Sequence, residues 1–94
     1  DAESLMRSRY SAFVLQRASY LLNTWDSGHR PAEVVFDVNT KWLGLEVKTH
    51  RIIDHEHAEV EFVARYRVHG KASRLQERSR FVCKEGRWYY IDGI

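Results

Sequence analysis

The spacing of apolar residues changes once along this chain: it is helical through the first third and alternating from Trp42 onward. Asp1 is a good N-cap for a helix running to about Gln16. On its wheel Leu5, Met6, Ala12, Phe13 and the ring of Tyr10 form a broad apolar face, with Arg7 and Ser11 on the solvated side. Arg9 falls in the centre of the apolar face, where a guanidinium must either snorkel out or meet a carboxylate inside. A second helix is predicted over Ala18–Trp25, closed by Asp26-Ser27-Gly28. Pro31 suits the first turn of a short third helix through about Asp37, although Val34-Val35-Phe36 also fits an extended run.

Alternation predicts four strands, roughly Trp42–Ile53, Ala58–His69, Ala72–Lys84 and Arg87–Asp92. Turns fall near His55-Glu56, Gly70-Lys71 and Glu85-Gly86, where Gly70 and Gly86 can supply positive φ. Strict alternation puts Leu43, Leu45, Val47, Ile53, Val60, Phe62, Ala64, Tyr66, Val68, Leu75, Phe81, Cys83, Trp88 and Tyr90 on one face. The other face collects Trp42, Glu46, Lys48, His50, Glu59, Glu61, Arg65, Arg67, Arg78 and Arg80. Two-residue turns set Leu45 opposite Tyr66, Tyr66 opposite Leu75, and Phe81 opposite Tyr90. A slip of one residue would turn any of these sets over. The helices are the only cover for the apolar face. The expected fold class is therefore α+β, with N-terminal helices packed on a curved four-stranded antiparallel sheet, in one domain spanning residues 1–94.

Composition changes this picture little. The chain is 44% hydrophobic and 30% charged, as an ordinary globular domain is, and 13% aromatic, which is rich. One cysteine, Cys83, excludes an internal disulfide and every cysteine-pair zinc motif; it reads as a small buried hydrophobe beside Trp88. A net charge of +2 is too small to argue for nucleic acid. No apolar run approaches the ~20 residues of a membrane span, and no signal peptide is read, so no membrane partner is expected and the cytoplasm is the default location.

Candidate chemistry sits first on the inner parity, which also carries Thr49, Arg51, Glu77, Ser79 and Asp92. The register sets Thr49, Phe62, Ser79 and Asp92 in one row and Val47, Ala64, Glu77 and Ile94 in the next, with Arg9 coming down from the helix. One reading is a buried Arg9–Glu77 pair, with Asp92 as the second choice of partner, that fixes the helix on the sheet. The other is a pocket lined by Arg9, Tyr10, Thr49, Tyr66, Glu77, Ser79, Tyr90 and Asp92, open to a ligand or to acid–base chemistry. His50, Asp54, His55, Glu56 and His57 crowd the first hairpin, but they are confined to a turn, and no metal or other cofactor is expected. On the outer face Arg65, Arg67, Arg78 and Arg80, with Trp42 and Tyr89 nearby, could meet RNA. Lys48 opposite Glu61, and Glu61 opposite Arg80, would neutralise that face and argue against nucleic acid. A homodimer would use the same surface, with Trp42, Ile52, Val63 and Tyr89 as its apolar patch.

Six segments together carry a resemblance: Leu5-Met6-Arg7-Ser8-Arg9-Tyr10-Ser11-Ala12-Phe13, Tyr20-Leu21-Leu22-Asn23-Thr24-Trp25, Trp42-Leu43-Gly44-Leu45, Val60-Glu61-Phe62-Val63-Ala64-Arg65-Tyr66, Glu77-Arg78-Ser79-Arg80-Phe81 and Gly86-Arg87-Trp88-Tyr89-Tyr90-Ile91-Asp92-Gly93. The chain resembles the central domain of the bacterial YchJ-like proteins. The resemblance implies a cone-like, nuclear-transport-factor-2-like (cystatin-like) fold, in which helices and a strongly bent sheet enclose a pocket. Members of that family typically carry a cysteine-rich SEC-C zinc motif; this chain has none, so no zinc-dependent role carries over, and no catalytic residue comes with the resemblance. The expected role is a non-enzymatic accessory domain that binds a small ligand or a protein partner. The alternatives are a small lyase or isomerase using the pocket and a sheet-mediated nucleic-acid-binding module.

Overall fold

Asp1 does cap the first helix: its Oδ1 accepts from the Ser4 amide at 2.8 Å, and helix α1 runs Ala2–Val14. Glu3 and Arg7, one turn apart, add an ion pair at 3.0 Å on the solvent side. The helix ends in a Schellman motif. Gln16 takes φ 56°, Arg17 donates to Ala12 O at 2.8 Å and Gln16 to Phe13 O at 3.3 Å. Helix α2 follows over Ala18–Asn23. The computed structural model describes all residues 1–94.

There is no third helix. The segment from Pro31 to Asp37 is irregular and extended. Val34 and Phe36 are half-buried while Val35 is exposed, a period of two that no helix can match. Phe36 is held edge-on against Phe13, with ring centroids 6.2 Å apart. A seven-residue helix has too few internal hydrogen bonds to outweigh that contact and the β-branched valines.

Four strands form an antiparallel meander in the order β1-β2-β3-β4: β1 Thr40–Ile52, β2 His57–Val68, β3 Lys71–Lys84 and β4 Arg87–Gly93. The apolar face of the sheet packs on α1 through Ala2 and Met6, against Ala58, Val60, Phe62, Ala64 and Phe81. Phe81 lies opposite Tyr90 as expected. The β2–β3 turn sits at His69-Gly70, one residue earlier than expected, with both φ positive. Leu75 therefore faces Ala64 and Tyr66 faces Ser73. That shift moves the register by one whole pair, so no side chain changes face. Glu61 and Arg80 accordingly stay outside, where Glu61 faces Arg78 and Glu59 faces Arg80.

Three bulges do change faces. In β1 the register shifts between Trp42 and Gly44 and again between Val47 and Thr49. Leu45 and Val47 remain inside, opposite Ala64 and Phe62, but Trp42 joins them there, opposite Tyr66. Thr49 and Arg51 turn outward, opposite Glu61 and Glu59. A third shift lies between Arg80 and Phe81 and leaves Ile91 as the extra residue of β4. Tyr90 stays inside while Asp92, two residues on, pairs with Arg80 outside. The first bulge turns Trp42 inward, and the second and third release Thr49, Arg51 and Asp92, polar or charged groups that strict alternation would trap in the core. The rows expected across the sheet are replaced by Val47-Phe62-Glu77 and Leu45-Ala64-Leu75.

Residues 24–26 pair with the free edge of β4. Asp26 N donates to Tyr90 O at 2.7 Å and Tyr90 N to Thr24 O at 2.8 Å. The Trp25 indole N–H donates to Ile91 O, the carbonyl of the bulged residue, at 3.1 Å. The edge strand is thereby closed to further pairing along its middle.

Candidate functional site

Beneath α1, between Arg9 and the inner face of β2–β4, lies a cavity of about 240 Å³. Its walls are largely aromatic: Tyr10 and Phe13 from α1, Trp25 from the segment after α2, and Trp42, Phe62, Phe81 and Tyr90 from the sheet. The polar groups among them are Arg9, Glu77 and Ser79, with the hydroxyls of the two tyrosines.

Arg9 is buried, at 5% exposure, yet no carboxylate oxygen lies within 4.0 Å of it. The expected pair with Glu77 or Asp92 does not form. Instead Nη1 donates to Leu21 O at 2.8 Å and to Thr24 Oγ1 at 2.7 Å. The guanidinium also lies over the Trp25 ring at 5.0 Å and the Tyr90 ring at 4.5 Å. A carbonyl, a hydroxyl and two ring faces substitute for the missing anion, incompletely: burial lowers the Arg9 pKa to about 10.

Glu77 faces inward but turns toward β4. Its Oε2 accepts from Ser79 Oγ at 2.6 Å and from the Tyr90 hydroxyl at 3.5 Å. Its Oε1 rests on Gly93, where an added Cβ would approach to 2.3 Å, so only glycine leaves room for this carboxylate. Burial, with the Glu77 charge second, pushes the Tyr90 hydroxyl above its ordinary range. Burial does the same to Tyr10.

Of the pocket residues expected from sequence, Arg9, Tyr10, Glu77, Ser79 and Tyr90 line the cavity. Tyr66 lies just beyond it, its ring 5.5 Å from that of Trp42. Thr49 and Asp92 are on the opposite face of the sheet, for the reason given by the bulges. Trp42, expected outside, is a cavity wall that also packs on Tyr10 and Phe13 at 6.0 and 6.3 Å. Sequence reasoning missed Trp25 and Thr24 as partners of Arg9. The only signal was their place in the same recognisable segment as Leu21.

The outer face divides in two. At the β4 side its charges are matched: Arg80 makes a two-pronged contact with Asp92 at 2.6 Å and Arg78 lies 3.7 Å from Glu59. That pairing lowers the Asp92 pKa and raises the Arg80 pKa. At the other end Arg65 faces Arg74 and Arg67 faces Lys41, with no carboxylate in contact. Tyr89 is half-buried opposite Val82, and Val63 is 5% exposed, so the apolar patch expected there is reduced. In the first hairpin the Asp54 carboxylate accepts from the Glu56 amide at 2.8 Å and meets His57 Nδ1 at 2.9 Å. Those two contacts hold its pKa below the ordinary range. Cys83 is half-buried beside Trp88.

A second buried charge went unread in the sequence, where Asp26 served only to end a helix. Asp26 is 6% exposed. Lys84 Nζ donates to its Oδ1, and His29 Nδ1 meets its Oδ2 at 2.7 Å. These bonds, Lys84 first, lower its pKa.

Comparison with known proteins fits this arrangement. A family model described as "YchJ, middle NTF2-like domain" matches residues 1–93. A UPF0225 protein of Polaromonas naphthalenivorans is 63% identical over 93 residues, which are 99% of this chain and 68% of that protein. A UPF0225 protein of Bordetella pertussis is 58% identical, covering 99% and 71%. The solution structure of a SEC-C motif containing protein from Rhodopseudomonas palustris superposes with a TM-score of 0.86 at 34% identity, over 98% of this chain and 76% of that one. The crystal structure of another, from Psychrobacter arcticus, gives 0.80 at 33% identity, over 97% and 58%. The segments that converge on Arg9 are those that carried the resemblance, and the chain belongs to the YchJ family, as its middle, nuclear-transport-factor-2-like domain.

Proposed function

We propose that this domain is a non-catalytic binding module of bacterial, cytoplasmic proteins, and that its cavity takes a small, largely apolar molecule. The observation that carries the reading is the cavity itself: about 240 Å³ of space with aromatic walls and, at its edge, a buried cation that no protein carboxylate meets. A purely structural arginine would sit in a filled core, because protein interiors leave few voids larger than a water molecule. The bends at the three bulges support a cone-like, cystatin-like closure of sheet over helix around this space. A metabolite thermal-shift screen, with light scattering on the same sample, tests the proposal. A ligand present at about 100 times its Kd adds ~2.7 kcal/mol to the folded state. For a domain of this size that raises Tm by about 15 °C. A library of one- and two-ring compounds that leaves Tm unmoved would sink the reading. Light scattering also reports self-association through the outer face or a mixed complex with a protein partner.

One observation favours a second reading, catalysis. Glu77 is an inward carboxylate not paired with any arginine, which a proton-transferring lyase or isomerase would need. Exchange of solvent deuterium into a bound carbon acid, lost in Glu77→Gln, separates that reading from simple binding.

A further inference from the structure

We infer that the cavity binds a small aromatic carboxylic acid, with its carboxylate seated on the Nε–Nη2 edge of Arg9. The inference rests on the binding role proposed above and adds what is bound. It begins with the five N–H donors of the guanidinium. Nη1 directs its two to Leu21 O and Thr24 Oγ1, at 2.8 and 2.7 Å. Thr24 Oγ1 is free to accept because it donates its own proton to Tyr20 O at 2.8 Å. Trp25 and Tyr90, whose ring centroids are 5.1 Å apart, flank the group together on one side. What remains is the edge formed by Nε and Nη2, which no protein acceptor meets. No sealed side-chain nitrogen or oxygen in the molecule lacks a partner, so these two nitrogens keep some free surface, and Arg9 is one of the residues that line the cavity. That edge is the two-pronged fork that matches a planar carboxylate.

The charge balance agrees. Arg9 has no carboxylate within 4.0 Å, and Glu77, which shares the cavity, is turned away onto Ser79, Tyr90 and Gly93. A single guanidinium neutralises one negative charge. A phosphate monoester would bring a second charge beside Glu77 with no further cation to meet it. Size and walls set the rest of the ligand. A dry cavity of about 150 Å³ holds benzene, whereas drug-sized ligands occupy ~300–1,000 Å³. At about 240 Å³ this space fits one ring or two fused rings with a short acidic arm. Phe13, Trp42, Phe62 and Phe81 favour a ring over an aliphatic chain.

The test uses the wild-type chain and three probes: phenylacetate, its neutral isostere phenylacetamide, and inorganic phosphate. Trp25 and Trp42 line the cavity, so their fluorescence reports occupancy. Phenylacetate is expected to bind about tenfold or more tightly than the amide, the scale of one charge-assisted bond pair. Glu77→Gln removes the one nearby negative charge and should raise the preference for phenylacetate over the amide several-fold. Arg9→Gln should erase the preference for the acid. If that variant does not fold, the Glu77→Gln comparison and the wild-type acid-to-amide ratio still decide. Equal binding of acid and amide overturns the carboxylate assignment and leaves the cavity reading standing. Phosphate binding as well as phenylacetate overturns it in favour of a plain anion site. Binding of none of the three overturns both.

Discussion

The molecule buries two charges to the same depth, Arg9 at 5% exposure and Asp26 at 6%, and completes them in opposite ways. Asp26 has a partner on each oxygen, the Lys84 ammonium on one and the His29 ring on the other. Arg9 has no anion at all. The Asp26 cluster is finished: a carboxylate held between two elements, α2 and the β3–β4 hairpin, with its pKa lowered by its partners. The Arg9 site is unfinished, with burial lowering the pKa of a base that would be more stable with a counter-charge. A finished buried charge is a structural fastening; one left without a counter-charge beside open space points to binding.

Four measurements break or sharpen that contrast. Trp25 belongs to both regions, as a ring under Arg9 and as the donor to the bulged carbonyl beside the Asp26 segment. Trp25→Ala should therefore cost most, about 3 kcal/mol in urea unfolding, and disturb both sites at once. Asp26→Asn comes next, at about 2 kcal/mol. It loses charge-assisted bonds, but Lys84 and His29 are half-exposed and are not stranded in the interior. The sign with pH follows from a folded-state pKa below the ordinary 3.8. The stabilisation is complete above about pH 5 and fades as pH falls through 4 toward the folded-state value. The gap between wild type and Asp26→Asn should thus be wide at pH 7 and narrow at pH 3. A gap independent of pH would show that Asp26 works by shape alone.

Arg9→Met should cost less, about 1–2 kcal/mol, because it strands only a carbonyl and a hydroxyl and no carboxylate. A loss as large as that of a broken buried ion pair, about 3–5 kcal/mol, would mean that Arg9 is fastened as firmly as Asp26. The smallest effect is expected at the sheet tip, remote from both charges. His69 takes φ 50° in a turn that favours asparagine there, so His69→Asn should stabilise by about 0.5 kcal/mol. That variant supplies a more stable background in which the other three can be compared while still folded.

Much of this was legible in the residues. The helix that starts at Asp1, the four strands, the Phe81–Tyr90 pairing and the burial of Arg9 all follow from local patterns. So do five of the cavity residues, since Arg9, Tyr10, Glu77, Ser79 and Tyr90 each lie in regular stretches. The errors cluster where regularity stops. Trp42, Thr49 and Asp92 lie on the face opposite to the one alternation predicts, because a bulge leaves no mark in that alternation. Arg9 meets a carbonyl, a hydroxyl and two rings where pairing rules predict a carboxylate, because those rules weigh only charged partners.

By itself the sequence determined the first two helices and the run of four strands, which sheet face is apolar over most of its length, and that one arginine must lie under a helix. Periodicity and capping are properties of neighbours a few residues apart, so they survive in the linear chain. Tertiary structure alone decided the three bulges, the extended path of residues 31–37 and the partners of both buried charges. Most of those depend on groups that meet from far apart in the chain, as Arg9 meets Leu21 across 12 positions and Lys84 meets Asp26 across 58. Distances of that kind are set by how an aromatic core closes, and the cavity beside Arg9 is the space that this closure leaves.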